Sequence, residues 1–369
     1  MTDVGGDRVE RLAELVAERE LDRLLVGDLV RPGDSDRSGM ANVRYLTGFS
    51  GTSGVCVIGD GAPLFVTDFR YTERAKRELP EGFEQLRAES RLLPAAAERL
   101  SGRVGYDDAN TSVRTLRQLE ELVPDGTELV PAAGLVERLR RAKEPAELAA
   151  IAEAQRLTEE VYGWIAGEGL VGKSEREVAL GAERRMLELG AEGPSFPAIV
   201  AAGDNGALPH AEAGKREITA GELVVIDMGA IVDGYCSDCT RTFATGGLGT
   251  EAREAYELVL EAQLAGIEAV RAGADAKAVD AVAREMIAAA GRGDEFGHGL
   301  GHGVGIEMHE APRLAKTSED ELGTGDVVTV EPGVYVPGRF GVRIEDMVTV
   351  ENGGCRNLAA YPKELQVVE

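Results

Sequence analysis

The sequence predicts an α+β chain of two domains. A small α/β unit covers residues 1–138, and a duplicated unit covers 139–369, in which two helices lead into a β hairpin, twice over. Three observations support this. The stretch Arg138–Pro145 separates two patterned regions and puts Pro145 in the first turn of a long helix. The second half repeats its order of elements. Each hairpin also carries two acids inside otherwise apolar strands.

In the first domain a helical pattern over Asp7–Asp22 leads into the apolar run Arg23–Asp28. Asn42–Tyr71 then reads as three strands broken by Gly and Asp turns. In the second domain, Pro145–Gly167 and Glu175–Gly190 read as helices, the latter opened by a capping box at Ser174–Glu177. Glu222–Phe243 forms the first hairpin. Helical patterns over Glu251–Ala272 and Ala276–Ala290 follow, and Asp326–Val350 forms the second hairpin.

Composition narrows the function. A net charge of −25 repels phosphates and argues against nucleic acid. No apolar run is long enough for a membrane span, and the charged start lacks a secretory h-region, so a cytoplasmic protein is expected. Only seven of the 40 basic residues are lysines. Abundant acid with scarce lysine suits a salty, halophilic cytosol, where screening removes self-repulsion; a GC-rich genome gives the same bias. Four cysteines are too few for a disulfide scaffold, and Cys236 and Cys239 lack the second pair a zinc ribbon needs.

The acids carry the chemistry. Asp227 and Asp238 flank the turn signal Val232-Asp233-Gly234. A turn centred on Val232-Asp233 sets them directly opposite; one centred on Asp233-Gly234 shifts the register but keeps both on one face. A loop centred on Gly338 makes Glu331 and Glu345 cross-strand partners. Like charges facing each other destabilise a sheet, and burying them costs more unless they are paired or metal-bound. Arg241 and Arg343 could neutralise some of the charge, but two arginines do not balance four carboxylates. Four carboxylates and an imidazole suit two divalent ions, and a shell rich in oxygen favours Mn, Co or Fe over a structural zinc.

Three of the four histidines, His298, His302 and His309, fall within Glu295–Glu310, where glycine occupies every second position from Gly297 to Gly305. That pattern excludes a helix and predicts an extended strand with one bare face, open to substrate or another backbone, and His298 and His302 on the other. The fourth, His210, lies in a polar loop.

These residues resemble the pita-bread metallopeptidases: methionine aminopeptidase, prolidase, aminopeptidase P and the metal-free creatinase. The resemblance runs through Leu208–Glu212, Ile226–Phe243, Gly297–Glu310, Val330–Tyr335 and Gly341–Asp346. Asn42–Gly54 and Thr67–Tyr71 resemble the creatinase-type N-terminal domain of the prolidase and aminopeptidase P branch. The resemblance implies a pita-bread catalytic domain with Asp227, Asp238, His302, Glu331 and Glu345 as metal ligands, Asp238 and Glu345 bridging both ions or binding one bidentately. The ions implied are Mn2+ or Co2+, with Fe2+ or Zn2+ as alternatives, and the nucleophile is a metal-bridging hydroxide. Glu331 would also shuttle a proton, while His210 and His309 would stabilise the carbonyl oxygen and the tetrahedral intermediate. His298 would shape the proline pocket, Arg343 would orient ligands, and Arg313 would grip the free carboxylate of a dipeptide.

The expected activity is hydrolysis of Xaa-Pro bonds in small peptides, as Xaa-Pro dipeptidase or Xaa-Pro aminopeptidase, by a homodimer. A non-peptide C–N hydrolase resembling creatinase is the alternative, and a binding protein that has lost catalysis is a third reading. Cys239, beside a ligand and Thr240, brings the expectation of sensitivity to oxidation or mercurials.

Overall fold

The structure is a computed structural model that describes residues 4–27 and 38–369; Asp28, which ends the first apolar run, lies outside them. The chain divides into two compact units, Met1–Arg140 and Arg141–Glu369.

The first unit is built on a six-stranded mixed sheet, in the order Glu84–Arg87, Leu64–Thr67, Val55–Gly59, Arg23–Gly27, Arg103–Tyr106, Glu128–Pro131. Val55, Val57, Leu64, Val66, Val104 and Leu119 form its apolar core. Of the three strands expected within Asn42–Tyr71, two form and the first does not. Ser38–Thr47 is a helix. The β-prone Val43 and Tyr45 are buried on it together with Met40, Ala41 and Leu46, so packing overrides local preference. Gly48, at a φ of 71°, ends it with a conformation that side chains resist.

The second unit keeps the expected order. Helices Pro145–Glu168 and Glu175–Glu188 precede the first hairpin, and Thr250–Ala269 and Ala276–Ala289 precede the second. The Ser174 hydroxyl accepts from the Glu177 amide while the Glu177 carboxylate accepts from the Ser174 amide, closing the capping box. In the first hairpin the turn is Asp233-Gly234, both residues at positive φ (48° and 80°), as a tight two-residue turn requires. Its arms bend at Gly229, where any Cβ would overlap the Ser237 carbonyl, and continue as strands Leu223–Met228 and Cys239–Ala244.

The second hairpin is interrupted in the same way. Its tip pairs Gly333–Val336 with Phe340–Arg343 around a loop centred on Gly338, and its base pairs Val327–Val330 with Asp346–Glu351. The return strands of the two hairpins lie side by side. The Glu345 amide donates to the Thr240 carbonyl at 3.1 Å, and the Thr242 hydroxyl donates to the Arg343 carbonyl at 2.8 Å.

The glycine-rich segment departs from expectation. Only Gly301–Gly303 is a strand. Before it, Arg284 donates to the carbonyls of Phe296 (3.0 Å) and His298 (2.7 Å), and Asp280 accepts from the Leu300 amide (2.9 Å). Side chains of the helix Ala276–Ala289 thus satisfy a backbone that a strand ladder would otherwise satisfy. The bare positions at Gly301 and Gly303 are filled by neighbouring backbone, the carbonyls of Thr329 and Ala311.

Candidate metal centre

The hairpin bends deliver the acids. The first hairpin pairs Asp227 with Thr240, so Asp238 lies diagonally across on the same face; of the two expected registers, the one centred on Asp233-Gly234 forms. In the second, both ladders share one register, and in the gap between Val330–Asp346 and Gly333–Arg343 Glu331 faces Glu345. His302 meets them from the strand Gly301–Gly303. Its Nε2 lies 3.5 Å from both Asp238 Oδ2 and Glu331 Oε1. Ligand atoms of Asp238, His302 and Glu345 all fall within 4.8 Å of one another.

This arrangement is electrostatically unfavourable without a cation. Burial and then the neighbouring carboxylates push Asp238 and Glu345 well above the usual acid range, Glu345 foremost for Asp238 and Glu331 foremost for Glu345. Burial raises Glu331 to about 7, with Arg343 pulling it down and Asp227 pushing it up. Asp227 Oδ1 is buried without a hydrogen-bond partner. An orphaned carboxylate oxygen and mutually repelling acids are what a bound cation would relieve.

The imidazole fits the same demand. His302 Nδ1 lies 3.0 Å from the Gly303 carbonyl, which can only accept, so Nδ1 carries the proton and the Nε2 lone pair faces the acids. Burial, followed by the field of His309, lowers His302 to about 3 and keeps it neutral. The five expected ligands therefore fit one or more hard divalent ions.

Neutralisation by arginine explains little of the site. Arg241 directs its guanidinium to Asp346 (2.8 Å), to the carbonyls of Glu345 (2.6 Å), Tyr361 (2.8 Å) and Pro362 (3.1 Å), and to none of the four acids. Lys363 completes that cluster by bonding Asp346 at 2.7 Å. Of these two arginines, Arg343 pairs with one of the four, Asp227, at 2.6 Å. Cys239 is buried, its thiol faces the Glu345 carbonyl at 3.5 Å, and burial pushes its pKa up, which leaves the expected oxidant sensitivity without an accessible thiolate.

Around the centre, His309 meets His302 edge-on, with ring centroids 4.1 Å apart and planes inclined at 61°. Arg313 is the cross-strand partner of His302 and is exposed. His298 lies outside the strand that carries His302. Its Nδ1 bonds the Gly299 carbonyl, and its Nε2 accepts from Tyr335, whose hydroxyl in turn accepts from Arg343 at 2.8 Å. Burial, ahead of the Arg343 charge, lowers His298 to about 4. His210 is exposed on its loop, and its field reaches both His298 and His309.

Sequence reading missed two contributors. Thr240 accepts from Arg343 Nε at 3.0 Å and donates to Glu345 Oε2 at 2.6 Å, and Tyr335 joins Arg343 to His298. Both lie inside motifs already singled out. Their polar groups on buried strands were the available signal.

A buried acid-and-imidazole centre on duplicated hairpins marks a metal-binding protein, built as two compact units. The chain belongs to metallopeptidase family M24, whose pattern matches residues 149–352, and residues 8–142 match the Creatinase/Prolidase N-terminal domain. An Xaa-Pro dipeptidase of Pyrococcus furiosus is 36% identical over 97% of this chain and 99% of its own. The solved Xaa-Pro dipeptidase from Bacillus anthracis superposes with a TM-score of 0.92 at 36% identity, covering 99% of this chain and 100% of that one. The X-Pro aminopeptidase from Thermotoga maritima reaches 0.87 at 32%, covering 98% and 100%.

Proposed function

We propose that this chain is a metal-dependent peptidase that hydrolyses Xaa-Pro bonds, foremost in dipeptides, with aminopeptidase action on longer Xaa-Pro peptides as the second reading. The observation that carries it is the buried cluster of Asp238, His302 and Glu345 flanked by Asp227 and Glu331 in a chain of this family. Relatives with both printed activities keep both substrates in view. An intact ligand set weighs against a metal-free, creatinase-like C–N hydrolase.

Two divalent ions, Mn2+ or Co2+ first and Fe2+ or Zn2+ as alternatives, would be held by Asp227, Asp238, His302, Glu331 and Glu345 and would supply an activated water and positive charge. The chain's own groups do the rest. Glu331, its carboxylate beside the proposed ions, would take a proton from the nucleophile and pass it to the leaving proline nitrogen. His309, whose pKa is lowered by desolvation and then by the charge of His210, and His210 itself can donate to the oxygen that gains charge at the scissile carbonyl. His298, with Tyr335 and Phe296 against its ring, walls the pocket assigned to proline. Arg313, the cross-strand partner of His302, would take the dipeptide carboxylate, and Arg343 holds Asp227.

The domain boundary at 138/139, a homodimer and a salt-adapted cytoplasmic setting complete the reading; the charge of −25 supports the last. No helix among the described residues is long and apolar enough to cross a membrane. The test is hydrolysis of Ala-Pro, Ala-Pro-Ala and Met-Ala-Ser by protein stripped of metal and reloaded with Mn2+ or Co2+ in high salt. Ala-Pro is expected to be cut first, and Arg313→Ala to raise its KM. Turnover of none of the three would sink the peptidase reading.

A further inference from the structure

The acids of the centre have an explanation in the cation they would hold. Glu175 does not, yet it is 1% exposed, at the first turn of the helix Glu175–Glu188. Its carboxylate accepts from three neutral donors. Oε1 takes the Ala202 amide at 2.9 Å, Oε2 takes the Gly214 amide at 3.1 Å, and the Asn205 side-chain amide reaches both at 3.0 Å. Ala202 and Gly214 are the two feet of the loop that carries His210. One buried acid therefore ties both feet together, on a helix N-terminus that favours its negative charge.

The tip of that loop is held separately. The Pro209 carbonyl, next to His210, accepts from Arg343 at 3.2 Å, and the same guanidinium bonds Asp227. Near the first foot, Gly206 packs on Gly341 so tightly that a Cβ on Gly341 would overlap the Gly206 carbonyl. The loop is thus fixed at its feet by Glu175 and at its tip by the arginine of the centre. His210 itself, exposed between these points, takes its position from them.

We infer that Glu175 is a positioning residue: its carboxylate holds the loop so that His210 is placed for the scissile carbonyl. This rests on the proposed Xaa-Pro activity for its kinetic arm only. Glu175→Gln keeps the shape but turns one acceptor into a donor facing amide hydrogens. In the otherwise native protein it is expected to lower kcat on Ala-Pro roughly tenfold with KM little changed, since small misplacements of a substrate-side group are costly. In a His210→Ala background the same change is expected to cost less than about twofold, because residues acting through one another are non-additive. Amide exchange over residues 208–213 should quicken while the helix Pro145–Glu168 stays protected. Should Glu175→Gln not fold, Asn205→Ala removes a donor from a half-buried side chain and is read the same way. Equal losses in both backgrounds, or unchanged kcat with unchanged exchange, would overturn the inference. If the native protein cuts no Xaa-Pro peptide, the functional reading falls and amide exchange alone decides the role of Glu175.

Discussion

The two hairpins of the second unit do one job with different parts. The first turns on two residues and presents short acids, Asp227 and Asp238, diagonally on one face. The second turns on a longer loop and presents Glu331 and Glu345 opposite each other in a gap between ladders. Each also orients the other's acid. Thr240 of the first bonds Glu345, Arg343 of the second bonds Asp227, and Arg343 also bonds Thr240. The carboxylates are distributed evenly, but the imidazole comes from the second repeat alone. Duplication supplied the charge, and the reciprocal hydrogen bonds make one site of the two halves.

The largest effects should come from breaking either half. Asp238→Ala and Glu345→Ala are each expected to lower kcat/KM on Ala-Pro by more than about 10^3-fold, several kcal/mol of lost charge stabilisation. Metal analysis should show bound ion lost from both, and retention of full occupancy by one variant would make the halves unequal. Next come the links between halves. Thr240→Val and Arg343→Lys should cost roughly 10- to 100-fold, the usual range for groups that orient a ligand, and the double variant should lose less than the product of the two.

A smaller effect separates the bends. Gly229→Ala drives a methyl into the Ser237 carbonyl, and calorimetry should register a loss of about 1–3 kcal/mol. The smallest is a pH effect confined to the second repeat. His298 is lowered from 6.5 to about 4 in the folded protein, so the unfolded chain binds the extra proton first. Its contribution to stability is complete above 6.5 and declines as pH falls toward 4. Between pH 6.5 and roughly 5.5 that amounts to on the order of 1 kcal/mol. Urea titrations of His298→Phe should show a flatter acid limb than the native protein; parallel curves would assign that limb elsewhere.

What could be read from the sequence is what has local periodicity. The four acids stand at fixed offsets from glycine turns, so the face they share follows from counting, and Ser174-x-x-Glu177 states its own cap. The helix at Ser38–Thr47 was not legible, because Val43 and Tyr45 favour a strand until the sheet buries them. Nor was the short extent of the strand at Gly301–Gly303, since the groups that replace its ladder, Asp280 and Arg284, sit on a helix well before it in the chain. Glu175 and Thr240 look ordinary in sequence for the same reason. Each acquires its role from a partner far along the chain, and no periodicity records that.

The grip of Arg241 on the carbonyls of Tyr361 and Pro362, beside Asp346 and Lys363, gives this centre a timetable. Synthesis proceeds from the N-terminus, so all four acids and His302 leave the ribosome before the segment that Arg241 holds. Until Tyr361 and Pro362 arrive, a guanidinium touching the Glu345 carbonyl lacks part of its shell. Nascent chains stalled before Tyr361 would carry all five proposed ligands and still lack two of the carbonyls that seat Arg241, so the centre's surroundings would be completed only near the end of synthesis.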